Sequence, residues 1–275
     1  MNGRKTIEFW LMLGGAMLAS GAVLNAQDGG GNACPGLPTQ AALQTQLKAA
    51  QKQANGGFGL NMWATIVNRD GVVCAVAFTG TARGDQWPGS RVISAQKANT
   101  ANAFSLDASS SSGGSGQPSG LSLSTANLYS AVQPGGSLFG LQESNPVNTE
   151  VAYQEPSWDY GTAKDPMVGQ KIGGVNVFGG GLALYAKGAT IVGGVGVSGD
   201  TSCADHDVAW RVRHHLGLDH LSGVGGVSGD TARPDNIVYD ITPNPNGGTG
   251  NSAGGYGHPK CYNTGDQTAL PAVIP

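Results

Sequence analysis

Hydrophobic and polar positions alternate along this chain in short blocks punctuated by glycine. In 39–54, TQAALQTQLKAAQKQA, strong helix formers surround Leu43, Leu47, Ala50 and Ala54, which share a narrow apolar face; the spacing predicts one amphipathic helix lying on a sheet. In 60–80, LNMWATIVNRDGVVCAVAFTG, two apolar runs flank Arg69, Asp70 and Gly71, and an Asp-Gly pair between β-branched runs is a hairpin signal. A second helix is predicted over 90–104, capped by Ser90, and a short one over 123–132, ended by Pro134 and Gly135. Residues 172–199 read as up to three strands with a turn at Lys187 and Gly188. The last of these runs through a glycine turn into a helix over 202–216, capped by Ser202. Asp205 and Asp207 suit the positive end of that helix, and Val208, Val212 and Leu216 follow at four-residue spacing.

The remaining segments are irregular. Residues 1–26 carry Arg4 and Lys5, a short apolar run and then small residues, the pattern of a secretory signal peptide cleaved after Ala26, so no membrane anchor is expected to remain. Serine and glycine dominate 107–120. Residues 136–171 hold Phe139, Tyr153, Trp158 and Tyr160, too many aromatics for a free linker, and are expected to pack over the domain or a neighbouring subunit.

Composition narrows the class. With 46 glycines and only 12% charged residues, the chain suits sheets and ordered loops over a helical bundle or generic disorder. Its net charge of −3 gives nucleic acid nothing to bind. Four widely spaced cysteines in an exported chain predict two disulfides, with Cys74–Cys203 the preferred pair and Cys34–Cys261 the other. No CxxC or CxxCH occurs, so thioredoxin chemistry, zinc ribbons and covalent haem attachment have no footing. Gly194, Gly196 and Gly199 spell GxGxxG, but no second parallel strand follows to carry an acidic residue, so a dinucleotide site is not supported.

Candidate chemistry gathers in HDVAWRVRHHLGLDH, which holds four of the five histidines, His206, His214, His215 and His220, beside Asp205, Asp207 and Asp219. Imidazole and carboxylate could serve a haem iron or a first-row metal. They could equally be helix-end residues placed by the dipole. His206 stands in the first helical turn beside the glycine turn, where an imidazole could face a flat ligand, with Trp210 one turn on to stack against it. That makes His206 the candidate axial ligand and His214 the alternative.

SAQKANTANAF resembles the KAxTA helix, and GGVGVSGDTSCADHDVA the GGxGVSG…D…A signature, of the GlcG/HbpS family of haem-binding or haem-degrading HbpS-like proteins. With the 60–80 hairpin, these match in order over 39–218. The resemblance implies an α/β (α+β) fold: an antiparallel five-stranded sheet with packed helices, similar to profilin-like and PAS-like domains. It implies one domain over 27–275 with its core at about 39–218, an insert at 136–171 and an extension at 219–275. Carried over by position, Lys97, Thr100, Gly194, Gly196, Ser198, Gly199 and Asp205 match the family motifs. The family's haem ligand lies in no shared motif, so none is transferred.

The resulting expectation is a periplasmic or secreted homo-oligomer that binds haem or a related small ligand. Lys97, Thr100, Asp205 and His206 are expected on one pocket wall. Two other readings stay open: a metal-dependent redox or haem-degrading enzyme, and a non-catalytic sensory or accessory subunit binding a small acid metabolite.

Overall fold

The structure is a computed structural model that describes residues 33–110, 119–248 and 250–275. The expected signal peptide lies outside the described residues, as do residues 111–118 of the serine-rich stretch. In chain order the elements are α1 (Gln40–Gln51), β1 (Trp63–Asn68), β2 (Val73–Phe78), α2 (Ser90–Ala103), α3 (Thr149–Ala152), β3 (Gly181–Ala186), β4 (Thr190–Ser198), α4 (Ser202–His215), β5 (Ile241–Thr242) and β6 (Asn251–Ser252). Strands β1 to β4 form one antiparallel sheet in the order β2-β1-β4-β3, and β5 pairs with β6 separately.

This is the expected α+β architecture with four strands in the main sheet where five were anticipated. The difference includes the first of the runs in 172–199. Gly173 and Gly174 take φ of +64° and +79°, which breaks an extended run. Polar groups of that segment bond α2: Asn99 Nδ2 donates to Gly174 O at 2.9 Å, and Asn176 N to Thr100 Oγ1 at 2.9 Å. Residues 123–132 form two 3-10 turns, Thr125–Leu128 and Ser130–Val132, in place of one short helix. Thr201 caps α4 through its side chain, and Gly89 precedes α2, so Ser202 and Ser90 are the first helical residues.

The sheet separates two helical layers. Along β1, Ala64 and Ile66 enter the core shared with α1 and α4, whereas Trp63 and Val67 enter the core under α2. On β4, Val195 and Val197 join the α1 and α4 side. Gly194 and Gly196 face α2, where an added Cβ would lie 2.3 Å from Ala98 O and 1.9 Å from Ser94 O. These glycines admit a helix backbone, not a ligand.

The described residues contain no free cysteine, but the expected pairing is wrong: the bridges are Cys34–Cys74 and Cys203–Cys261, not Cys74–Cys203 and Cys34–Cys261. Strand register gives the reason. Val67 pairs with both Val73 and Gly194, while Trp63 pairs with Phe78 and Ser198. Cys74 therefore sits at one end of the sheet and Cys203, just past Ser198, beyond the other. Each sulfur finds its partner on a terminal segment, and the 33–37 leader is further fastened by Asn68 Nδ2 donating to Ala33 O at 2.6 Å.

Loop segments bond both edge strands, each at one residue. Against β2, Val73 N donates to Gln170 O and Gly169 N to Val73 O, both at 2.8 Å; against β3, Tyr185 N donates to Leu218 O at 2.8 Å and His220 N to Tyr185 O at 3.1 Å. The 136–171 segment does pack over the domain, burying Ala152 and Met167 under α2.

Gly196→Ala should cost about 3 kcal/mol, because the helix must lift from the strand to admit a methyl group. Gly84→Ala, with nothing within 4 Å of the added Cβ, should stay within about 0.5 kcal/mol. Urea unfolding midpoints compare the two, and equal midpoints would contradict the close-packing account.

Candidate functional site

Lys97 lies midway along α2, and Ala95, Ala98 and Ala101 around it keep that helix close to the sheet. Its side chain runs past the end of β4, where the Nζ donates to Val197 O at 3.0 Å and to Asp205 Oδ2 at 2.8 Å, 4.6 Å from the centre of the Phe178 ring. Asp205 Oδ1 accepts from Asp200 N at 2.9 Å, and Asp200 in turn accepts from Phe58 N at 2.9 Å and Leu60 N at 3.0 Å. Both Lys97 and Asp205 are buried. Burial pushes the Asp205 carboxyl up to about 6 and the Lys97 ammonium down, and the ion pair opposes both shifts.

The single pocket wall anticipated for Lys97, Thr100, Asp205 and His206 is not formed, because α2 and α4 occupy opposite faces of the sheet. Only Lys97 and Asp205 meet. Thr100 Oγ1 donates to Gln96 O at 2.8 Å and accepts from Asn176 N. Ser198, buried, pairs with Trp63 in the β1–β4 ladder.

His206 is fully enclosed, at 0% exposure. Its Nε2 lies 3.2 Å from Asn236 Oδ1, its ring is tilted 6.0 Å from Trp210, and its Nδ1 has no partner. Burial holds the imidazole neutral, with a pKa lowered to about 3. The 219–275 extension encloses this face of α4. Arg213 grips Asp235 through two bonds of 2.6 and 2.9 Å, and Trp210 Nε1 donates to Pro271 O at 2.9 Å. The sequence pattern gave no sign that this polar tail would shut the histidine in.

His214, in the last turn of α4, has a different setting. Its side chain is 31% exposed, and its Nδ1 lies 2.7 Å from Oδ2 of the buried Asp219. No described residue hydrogen-bonds Nε2. A carboxylate that fixes Nδ1–H selects the tautomer with a free Nε2 lone pair, the arrangement a metal-ligating imidazole needs.

A second feature is a cleft of about 440 Å³ where the 136–171 segment meets β1 and β2, lined by Trp63, Phe78, Arg83, Trp158 and Tyr160 among others. Trp63 and Phe78 stack with centroids 4.2 Å apart, and the Arg91 guanidinium lies 3.6 Å from the centre of the Tyr160 ring. Among the aromatics noted in the insert, Tyr160 and Trp158 line this cleft.

A four-stranded antiparallel sheet between two helical layers, tied by a buried lysine–aspartate pair, defines the class of protein. The chain belongs to the HbpS-like family: the family model described as Haem degrading protein HbpS-like matches residues 39–213. Among solved structures the chain is similar to Klebsiella pneumoniae protein ORFY, with 24% identity over 65% of this chain and 90% of that one and a TM-score of 0.39. It is also similar to PduOC in a heme complex (20% identity, 64% and 89% coverage, TM-score 0.40) and to HbpS (17%, 64% and 88%, 0.35). No curated protein matches it.

Asp207, in the same helix, carries a pH dependence. Its Oδ1 accepts from Gln267 Nε2 at 2.7 Å, its Oδ2 has no partner, and burial raises the carboxyl to about 7. Since the folded value lies above the ordinary 3.8, the folded protein holds this proton more tightly than the unfolded chain. Its contribution favours the fold at low pH and is lost as pH rises from about 4 to about 7, by roughly 2–4 kcal/mol. Asp207→Asn should therefore be the more stable protein at pH 8 and lose that part of the pH slope in urea unfolding. An unaltered slope would show that Asp207 titrates at its ordinary value.

Proposed function

We propose that this chain is an exported haem-binding protein that takes the iron on His214. The observation that carries the reading is the His214–Asp219 pair: an imidazole whose Nδ1 is held at 2.7 Å by a buried carboxylate and whose Nε2 is left without a described partner. Haem iron is commonly held by a histidine whose other ring nitrogen is fixed in this way. The family description, a haem degrading protein, supports haem as the ligand class. His206, the first choice from sequence, has neither an open face nor a free Nε2. The aromatic cleft offers stacking surfaces, but its lining contains no imidazole, thiolate or thioether, and its Tyr160 hydroxyl donates to Gln154 O at 3.0 Å.

Export is supported by the signal-like first 26 residues together with two disulfides, a pairing that persists in oxidising compartments. No helix among the described residues is long and apolar enough to cross a membrane.

Hemin titration followed by the Soret band tests the reading. His214→Ala should abolish the ligand-induced Soret shift, Asp219→Asn should weaken binding by about 10–100-fold, and His206→Ala should bind as the unaltered protein does. Undiminished hemin binding with an unchanged band position in His214→Ala would refute it.

A further inference from the structure

The fifth histidine lies outside the histidine-rich run but folds back onto the start of α4. His258, Cys203 and Cys261 place one ligand-capable atom each within 4.8 Å of one another. Ser202 Oγ adds a fourth donor, 3.2 Å from His258 Nε2 and 3.4 Å from Cys261 Sγ. His258 Nδ1 is 2.7 Å from Pro259 O, and since a carbonyl only accepts, the proton sits on Nδ1 and the Nε2 lone pair faces Ser202. That backbone-fixed tautomer is the usual support of a metal-bound histidine. Cys203 and His258 are both buried. The Cys261 loop is closed by Thr264, whose Oγ1 accepts from Cys261 N and donates to Cys261 O, both at 2.9 Å.

We propose that Cys203, Cys261 and His258, with Ser202, form a zinc site that the Cys203–Cys261 disulfide closes and its reduction opens. Two sulfurs, one imidazole and one oxygen make a tetrahedral set suited to Zn²⁺, at about 2.3 Å for Zn–S and about 2.0 Å for Zn–N. His258 and Cys261 stand three residues apart in one short loop, the close spacing that lets neighbouring ligands chelate one ion. The cysteine Cα atoms are 5.9 Å apart, so reduced sulfurs can part to the separation two zinc ligands need without moving the backbone far. Cys203 N already donates to Cys261 Sγ at 3.1 Å, a bond that also stabilises a thiolate.

The chemistry balances with a dithiol as reductant. The dithiol gives two electrons and two protons, the S–S bond breaks to two thiols, and the donor leaves as its own disulfide. Zinc then displaces the two thiol protons as it binds the thiolates. The ion joins the same two segments that the disulfide joined, so the tail stays fastened to α4 while the cross-link changes kind.

Cobalt(II) is the probe, because a tetrahedral thiolate site gives it intense visible bands and a near-ultraviolet charge-transfer band. A Cys34→Ser/Cys74→Ser protein leaves this pair as the sole thiols; it is reduced with a phosphine, which ends as the phosphine oxide, and titrated with Co²⁺. The expected result is saturation at one ion per chain, displacement of the bands by Zn²⁺, and no bands in the oxidised protein. His258→Ala should weaken cobalt binding more than tenfold. If the double variant does not fold, reduced unaltered protein with Cys203→Ser as its control reads the same site. Far-ultraviolet circular dichroism accompanies each titration. Absence of the bands, bands undiminished in His258→Ala, or bands that appear only with loss of the folded signal would each overturn the proposal.

Discussion

One buried charge pair sets how the two halves of this fold meet. Helices α2 and α4 lie on opposite faces of the sheet and cannot pack on each other, yet Lys97 reaches round the end of β4 to Asp205. The path exists because the chain entering β3 has no side chains in the way: at Gly180 a Cβ would sit 3.0 Å from both the Lys97 Nζ and Asp205 Cβ, and 2.4 Å from Val197 O. Taking two charges out of water costs several kcal/mol per ion, so such a pair adds little stability over an apolar contact of equal volume. What it does fix is position. Lys97 satisfies Val197 O as well as Asp205, and Asp205 holds the Asp200 turn, so α2, β4, α4 and the loop before β1 are tied into one mutual arrangement by this chain of bonds.

That constraint explains which parts of the molecule could be read in the sequence. The 60–80 hairpin was legible because Asp70 and Gly71 carry a local turn preference, and Gly71 does take φ +78°. The helices α1, α2 and α4 were legible from periodicity and helix-forming residues. Lys97 and Asp205 were singled out together, but their role was not, since small residues around a buried charge look the same whether they admit a ligand or a backbone. The disulfides were misassigned because pairing depends on strand register: Cys74 and Cys203 sit at opposite ends of the sheet, which only the β1–β2 and β1–β4 ladders reveal. His258 went unremarked because nothing in HPKC announces that it returns to the helix beginning at Ser202.

The additions do most of the work of finishing the fold. The family match ends at Arg213, and the residues after it bond the β3 edge at Tyr185, enclose His206 and fasten Trp210 and Arg213. A helix as polar as α4, with aspartates, arginines and histidines throughout, is stable in the interior only because the tail brings partners such as Asp235, Asn236 and Gln267 to it. The 136–171 segment does the same for Arg91, whose guanidinium bonds Asp165 and Ala152 O. The extensions are therefore part of the core's electrostatics and not appendages to it.

Helix α4 then sorts chemistry by its two ends. At its start the peptide dipoles favour negative charge, and there the chain places Asp205, the Asp200 turn and the Cys203–Cys261 sulfurs, the last of which gain negative charge only when reduced. At its end the dipoles favour positive charge, and there it places Arg213, His214 and His215. A ferric iron on His214 Nε2 would bring a cation to the end of the helix that welcomes one, with Asp219 behind the imidazole to accept part of that charge through Nδ1–H. His206, in the first turn, would have to bear an iron's positive charge where the dipole opposes it, inside a core that already lowers its pKa to about 3. Burial keeps His206 neutral and structural, and on the proposed reading His214 is the histidine of this helix that takes the iron.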